Sequence, residues 1–470
     1  MRDAVTHVGH LLRGALHLSL LVASMAPTRA DSQTLSPYQR GVPSGSPTAD
    51  PLALTIQDAV KRALEHNLGL IFAEQRVDET GGARWRALSE LLPNVNGRLS
   101  ASRQKVNLEA FGFPLPPGIP PVVGPFNVYD ARVYLTQSIF DARARNEARS
   151  ESHSLEAARF DVKNARDLVI LVSANAYWQA VAAAARGEAV RVQVETAQTL
   201  SRQAGDLKQN GLVAGIDVLR ADVQLDTARQ RQTAAQADAE RSKLQLARII
   251  GLPPGQMFTL ADTIRPAPFP DVSVEQAVER AYRSRGDYQA ALERVRAAEA
   301  HQRAAAGEQL PSVRVTADYG DIGLTPAAAR GTFNVTGAVN VPIFQGGRTR
   351  GRLLEAEAEL RSRRAEADDL KAGIYYEVQT AFLDLKAGQE QLQVATRTRE
   401  LAAAQLTQAR DRFAAGVAGN IEVVQAQEAV ALASDQYIAA QFASNLATGN
   451  LVRALGMAEE VARQYIEGIR

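Results

Sequence analysis

Two stretches of this chain, Ala142 to Gln209 and Arg348 to Ala415, run without a proline. Proline lacks the N–H that an interior helical turn donates, and its ring crowds the preceding turn. At 1.5 Å per residue each stretch permits a helix ~100 Å long, several times the length usual in globular domains. Leu155, Val162, Val169, Ala176, Ala183, Val190, Ala197 and Ala204 recur every seventh position in the first run. Val378, Leu385, Leu392, Leu406 and Phe413 form such a row in the second, and Ala426, Ala433, Ala440, Ala447 and Ala454 form a third. This is coiled-coil spacing with a small-residue seam, which lets backbones approach closely. Each run ends at a glycine-bearing break, Gly211-Leu-Val-Ala-Gly-Ile-Asp-Val-Leu219 and Gly416-Val-Ala-Gly-Asn-Ile-Glu-Val-Val424. A returning helix follows each break, over about 216–250 and 421–456. The dominant element is therefore a helical hairpin, made twice.

The rest of the chain is doubled too. Thr55-Ile-Gln-Asp-Ala-Val-Lys-Arg-Ala63 resembles Ser273-Val-Glu-Gln-Ala-Val-Glu-Arg-Ala281, and Leu92-Pro-Asn-Val95 resembles Leu310-Pro-Ser-Val313. Ile139-Phe140 matches Ile343-Phe344, and Arg248-Ile-Ile-Gly251 matches Arg453-Ala-Leu-Gly456. A period of roughly 200 residues is too long for a solenoid and indicates a duplicated domain. The first copy spans 51–265 and the second 266–470. The first carries an insertion in the Pro/Gly-rich run Phe111 to Pro125.

Between the short opening helices and the long ones, the period changes from 3.6 to 2. Strands are expected at about 94–103, 128–140, 312–320 and 332–344, each with one apolar and one polar face. In Tyr129 to Phe140, for example, Ala131, Val133, Leu135 and Ile139 alternate with Asp130, Arg132, Thr136 and Ser138. About ten residues suffice to cross a bilayer at a tilt, and the same pattern suits a half-buried sheet in a soluble domain. Four strands cannot close around a water-filled lumen, and open sheet edges are forbidden in lipid. If these strands span a membrane, several chains must pool them.

Arg2, Arg13, the mostly apolar run Ala15 to Met25 and Thr28-Arg29-Ala30 give residues 1–30 the form of a secretory leader. Residues 31–50, rich in Ser, Pro, Thr and Gly, read as a flexible extension. No later segment is expected to cross a membrane as a helix. The net charge of +1 gives no bulk attraction for nucleic acid. With no cysteine, disulfides, thiolate metal sites and thioether lipid anchors are excluded. The six histidines, at 7, 10, 17, 66, 153 and 301, show neither His-x-x-x-His spacing nor a His/carboxylate cluster. No metal or cofactor is expected, and no catalytic residue.

Taken together, the duplication, the Leu-Pro-x-Val lead into a strand, Ile343-Phe344 followed by Gly346-Gly347, and the paired hairpin breaks make the chain similar to the TolC-like outer-membrane efflux proteins. The resemblance covers nearly all of the chain after the leader. It implies an α+β membrane protein in the outer membrane, a homotrimer whose strands form one 12-stranded β-barrel joined to an α-helical barrel across the periplasm. It also implies a passive exit duct for drugs, small molecules or proteins in a tripartite efflux or type I secretion system. The partners would be outer-membrane lipid, a periplasmic adaptor and an inner-membrane pump. Asp217, Phe413, Glu422 and Gln425 match gate positions, whereas Ala418 stands where an arginine can lock the closed state. Gln425 stands where a second acid can occur, so a ring at this level would carry Glu422 alone. Gly211, Leu212, Val213, Gly416, Val417 and Ala418 match the tip surface that meets the adaptor. A three-fold ring of Glu422 would focus negative potential and favour cations; helix capping or first-turn dipole complementation is the simpler role for Asp217 and Glu422. The alternative is a periplasmic adaptor, itself a coiled-coil hairpin protein, though two hairpins and four alternating strands fit it less well.

Overall fold

The computed structural model describes residues 36–466 apart from 113–115, 117, 119, 212, 264–272, 416 and 418, so the expected leader lies outside the described residues. The first copy contains β1 (Leu52–Leu54), α1 (Ile56–His66), α2 (Leu68–Ser89), β2 (Asn94–Asn107), β3 (Val122–Phe140), α3 (Ala142–Gln209) and α4 (Gly215–Ile249). β4 (Phe258–Leu260) closes the first copy, and the second contains α5 (Val274–Ser284), α6 (Gly286–Gly307), β5 (Ser312–Gly323), β6 (Arg330–Asn340), α7 (Arg348–Ala414) and α8 (Asn420–Ala454), followed by α9 (Ala458–Ile466).

The four long strands make one antiparallel sheet in the order β2-β3-β5-β6, which joins the two copies through β3 and β5. Its register lines up the alternating pattern of every strand. Gly97, Val133, Tyr319 and Phe333 lie in one cross-strand row, with Val95, Leu135, Ala317 and Val335 in the next. The opposite face carries the row Arg98, Arg132, Gly320 and Thr332, beside Asn96, Tyr134, Asp318 and Asn334. A one-residue slip would exchange these faces. Among the described residues, the outer edges of β2 and β6 pair with no other strand.

The strand limits differ from those expected. β6 stops at Asn340, short of 344, because Pro342 brings no N–H to the ladder. β2 and β3 extend outward to Asn107 and Val122, past a register shift between Gln104 and Val106 that breaks the strict alternation.

Phe140 leads through Asp141, whose carboxylate accepts the N–H of Ala144 at 2.9 Å, directly into α3. That cap fixes the sheet at one end of the long helices, and the hairpin breaks at the other. The alanine row of α8 is buried throughout, and the heptad residues Val378 and Leu385 of α7 pack with Ala447 and Leu451. A Cβ on Gly388 would sit 3.3 Å from the Ser444 backbone, which shows how closely α7 and α8 approach. Among the described residues one helix, α3, contains an 18-residue window of mean hydropathy 1.5, long and apolar enough by composition to cross a membrane. Half of that window is buried inside the chain, and Val169, Tyr177 and Val181 of α3 belong to the core, so it packs as a core helix.

Tyr177 is fully buried midway along α3. Its hydroxyl lies 2.7 Å from Asp262 Oδ2 and 2.9 Å from the Leu54 carbonyl, which ties α3 to the parallel pair β1–β4. Burial and then the Asp262 carboxylate push the phenol pKa upward, keeping it a neutral donor. The described part of the expected flexible extension is held in place. Gly41 donates to Arg248 O, Val42 to His66 O and Ser44 to Gly251 O, while Arg40 O accepts from Leu68 N. Its polar composition reflects backbone-mediated docking instead of freedom.

Candidate functional site at the helical tips

At the first tip, the N–H of Asn210 donates to Asp206 O, and Gly211 takes φ +75°, a left-handed conformation suited to glycine. Ala214 is the N-cap of α4 and has no capping side chain, so Asp217 becomes the third helical residue. The second tip repeats the plan. α7 ends at Ala414, Val417 N donates to Arg412 O at 3.0 Å, and Gly419 caps α8 without a side chain. Glu422 is again the third helical residue. Neither acid is an N-cap residue; both sit in the first turn, where negative charge complements the helix dipole.

Both acids also have arginine partners. Asp217 Oδ1 lies 3.4 Å from Arg220 Nη1, one turn further along α4. Glu422 Oε1 lies 3.4 Å from Arg412 Nη2, which reaches across the turn from α7. Exposed pairs of this kind contribute about 0–1 kcal/mol, so their importance is where they place charge. Neither arginine was anticipated. The Asp217-x-x-Arg220 spacing was visible in the sequence, whereas the nearness of Arg412 depends on the turn.

Phe413 belongs to a small cluster with Leu200, Ala409, Val423 and Ala426, where α3 packs on the second hairpin. Gln425 is exposed on α8, Gly211 and Val417 are exposed at the turns, and Val213 is half-buried. Leu212, Gly416 and Ala418 lie outside the described residues. The structure thus brings Phe413, Glu422 and Arg412 to one tip, while Asp217 and Arg220 occupy the other. Further up the helices, α3, α4 and α8 border an open groove of about 610 Å³, crossed by the Arg186–Asp435 ion pair at 2.9 Å.

The family model described as "Outer membrane efflux protein" matches residues 59–252 and 277–457, one segment in each copy. Among curated proteins, the pyoverdine export outer membrane protein OpmQ of Pseudomonas putida is 24% identical over 473 residues, covering 95% of this chain and 97% of the relative. Protein CyaE of Bordetella pertussis is 26% identical over 349 residues, 72% of each chain. Among solved structures, the CmeC outer membrane channel of Campylobacter jejuni superposes with TM-score 0.73 at 19% identity, covering 86% of each chain. The outer membrane protein VceC of Vibrio cholerae gives 0.73 at 21%, covering 85% of this chain and 96% of that one. At these identities the structural likeness establishes the fold.

Proposed function

The chain belongs to the outer membrane efflux protein family, and from that membership we propose how its particular residues make an exit duct. It is an outer-membrane channel of an efflux or secretion system and reaches into the periplasm. The family's members are channels, not enzymes, and the adaptor alternative is not favoured, since the match spans both copies.

The observation that carries our reading is the four-stranded sheet with one apolar face, one polar face and two open edges. In lipid, each unpaired backbone group costs several kcal/mol, so the edges must pair with further copies. Two copies would give eight strands, an interior that side chains nearly fill; three give twelve, the smallest count that leaves a lumen. The apolar face with Leu99, Val133, Phe333 and Val335 then meets lipid, and the polar face meets water. On α7, Tyr376, Leu383, Val394 and Leu401 are exposed within the chain and supply an apolar seam for a neighbouring helix.

The tip turns that include Gly211, Leu212, Val213, Gly416, Val417 and Ala418 are the surface that meets a periplasmic adaptor of a pump complex, and Gly211 and Val417 are exposed there. Asp217, Phe413, Glu422 and Gln425 form the gate level. Without an arginine at Ala418, the arginine partners are Arg220 and Arg412. Glu422→Gln is expected to weaken block by multivalent cations in planar bilayers, and Arg412→Gln to strengthen it, because Arg412 masks Glu422. Unchanged block in both variants would leave Glu422 only a dipole-complementing role.

Membrane fractionation followed by gel migration with and without boiling tests the duct itself. A heat-dissociable oligomer in the outer-membrane fraction is expected. Recovery as a soluble periplasmic monomer would refute the duct.

A further inference from the structure

The polar face of the sheet is not electrically balanced. Its strand carboxylates, Asp130 and Asp318, both bond one arginine in a cluster of net charge −1, and three further arginines leave the face positive by two. Arg132 Nε lies 3.3 Å from Asp130 Oδ1, and Nη1 bonds Asp318 Oδ1, while Nη2 donates to Thr332 Oγ1 at 2.9 Å. Gly320, opposite Arg132, leaves room for this: a Cβ there would lie 2.5 Å from Arg132 Cα. The same face carries Arg98, Arg314 and Arg330, all exposed. Among the described residues none of these three has a carboxylate within ion-pair distance; Arg98 instead lies over the Tyr134 ring at 5.5 Å. The register spreads them along the strands. Arg314 lies near the helical end opposite Ser138, Arg98 lies further along in the row of Arg132, and Arg330 starts β6 just beyond it, in the row of Ser100, Asp130 and Ile322.

We propose that Arg98, Arg314 and Arg330 make the strand-borne part of the duct an anion-favouring filter, matched to negatively charged cargo such as carboxylates or phosphate and sulfate esters. This rests on the reading of the polar face as lumenal. Uncompensated charge on a low-dielectric wall concentrates counter-ions beside it. Three levels along the strands keep an anion within about one Debye length, ~10 Å at 0.1 M salt, of a guanidinium through much of its passage along the wall. The arrangement also avoids trapping cargo, because single exposed guanidiniums bind weakly and are spaced for hand-over. Monovalent ions at the tips meet a different balance, since Asp217 and Glu422 each have an arginine beside them.

The test is the reversal potential of the purified oligomer in planar bilayers under a KCl gradient. Wild type is expected to favour chloride over potassium. The combined variant Arg98→Gln, Arg314→Gln and Arg330→Gln is expected to lower that permeability ratio by about two-fold or more at 0.1 M, with the difference shrinking at 1 M, where the screening length is only ~3 Å. Arg103→Gln, which removes one charge from the apolar face, is expected to leave the ratio unchanged, whereas each single variant of the three filter arginines is expected to lower it. A cation-preferring wild type, or a triple variant that conducts with the wild-type ratio, overturns the filter and leaves the duct intact. An equal shift in Arg103→Gln overturns it also, since bulk charge would then be the cause. A folded outer-membrane oligomer that never conducts would overturn the duct reading and the filter with it.

Discussion

Arg285→Ala should cause the largest loss of stability of any single charge removal in this chain. Arg285 ends α5 and precedes α6, and it is only 3% exposed. Its guanidinium forks onto Asp287, at 3.0 and 2.6 Å, and reaches Glu377 of α7 at 2.5 Å. Glu377 is also held by Arg453 of α8 at 3.1 Å. Removing Arg285 leaves Asp287, 19% exposed, without its fork, while Glu377 keeps Arg453 and water; leaving such a hydrogen-bonded group unpaired costs about 1–3 kcal/mol. Large membrane proteins unfold irreversibly, so the readout is the apparent unfolding temperature at one fixed heating rate. Arg285→Lys should recover only part of the loss, because an ammonium cannot form the fork. The junction is acid-sensitive as well. Burial alone would raise the Asp287 carboxyl, but the Arg285 hydrogen bonds and charge, with Arg453, hold it below the usual range. A depressed folded pKa contributes stability above the unfolded value near 4, and that contribution fades as pH falls through the folded value. Arg285→Ala should flatten this acid dependence. Wild-type thermal behaviour in Arg285→Ala would refute the account.

The neighbouring residue gives a second large effect by sterics alone. A Cβ on Gly286 would lie 2.6 Å from Phe160 O and 2.7 Å from Asn164 N, both backbone atoms of α3. No side chain can rotate away, so α6 must step off α3, and overpacking of this kind costs about 1–3 kcal/mol or more. Gly286→Val should therefore reduce the amount of folded protein in the outer membrane and lower its apparent unfolding temperature. Gly187, also helical, has nothing within 4 Å of its would-be Cβ. Gly187→Ala should be neutral or stabilising by up to about 1 kcal/mol from helix propensity. The assay is the same for both; equal behaviour of the two variants would remove the steric argument.

The parts of the fold governed by local periodicity were legible in the sequence. The alanine row of α8 needs only a heptad to be seen, and Val133 against Arg132 needs only alternation. What escaped depends on distant residues. β1 and β4 are three residues each, too short to carry a pattern, and exist because Leu52–Leu54 pairs with Phe258–Leu260. α9 is docked by Asp167 of α3, which accepts the Glu459 N–H at 3.2 Å. At the tips, the breaks and their acids could be read directly, while Arg412 beside Glu422 could not. No local pattern marks Arg285, whose burial comes from its own cap position and from Glu377 of α7. Docking of residues 37–44 uses mainly backbone groups, which composition does not report.

The pairing of β3 with β5 also sets an order of events. Arg132 and Asp318, neighbours across those strands, stand 186 residues apart in sequence. Loop-closure entropy makes so non-local a ladder slow to form. During that interval the β2–β3 hairpin exists with two bare edges, a template for wrong pairing with any other strand in reach. Arrival of the second copy covers the β3 edge but puts the β6 edge in its place, so a bare edge outlasts the folding of the chain itself.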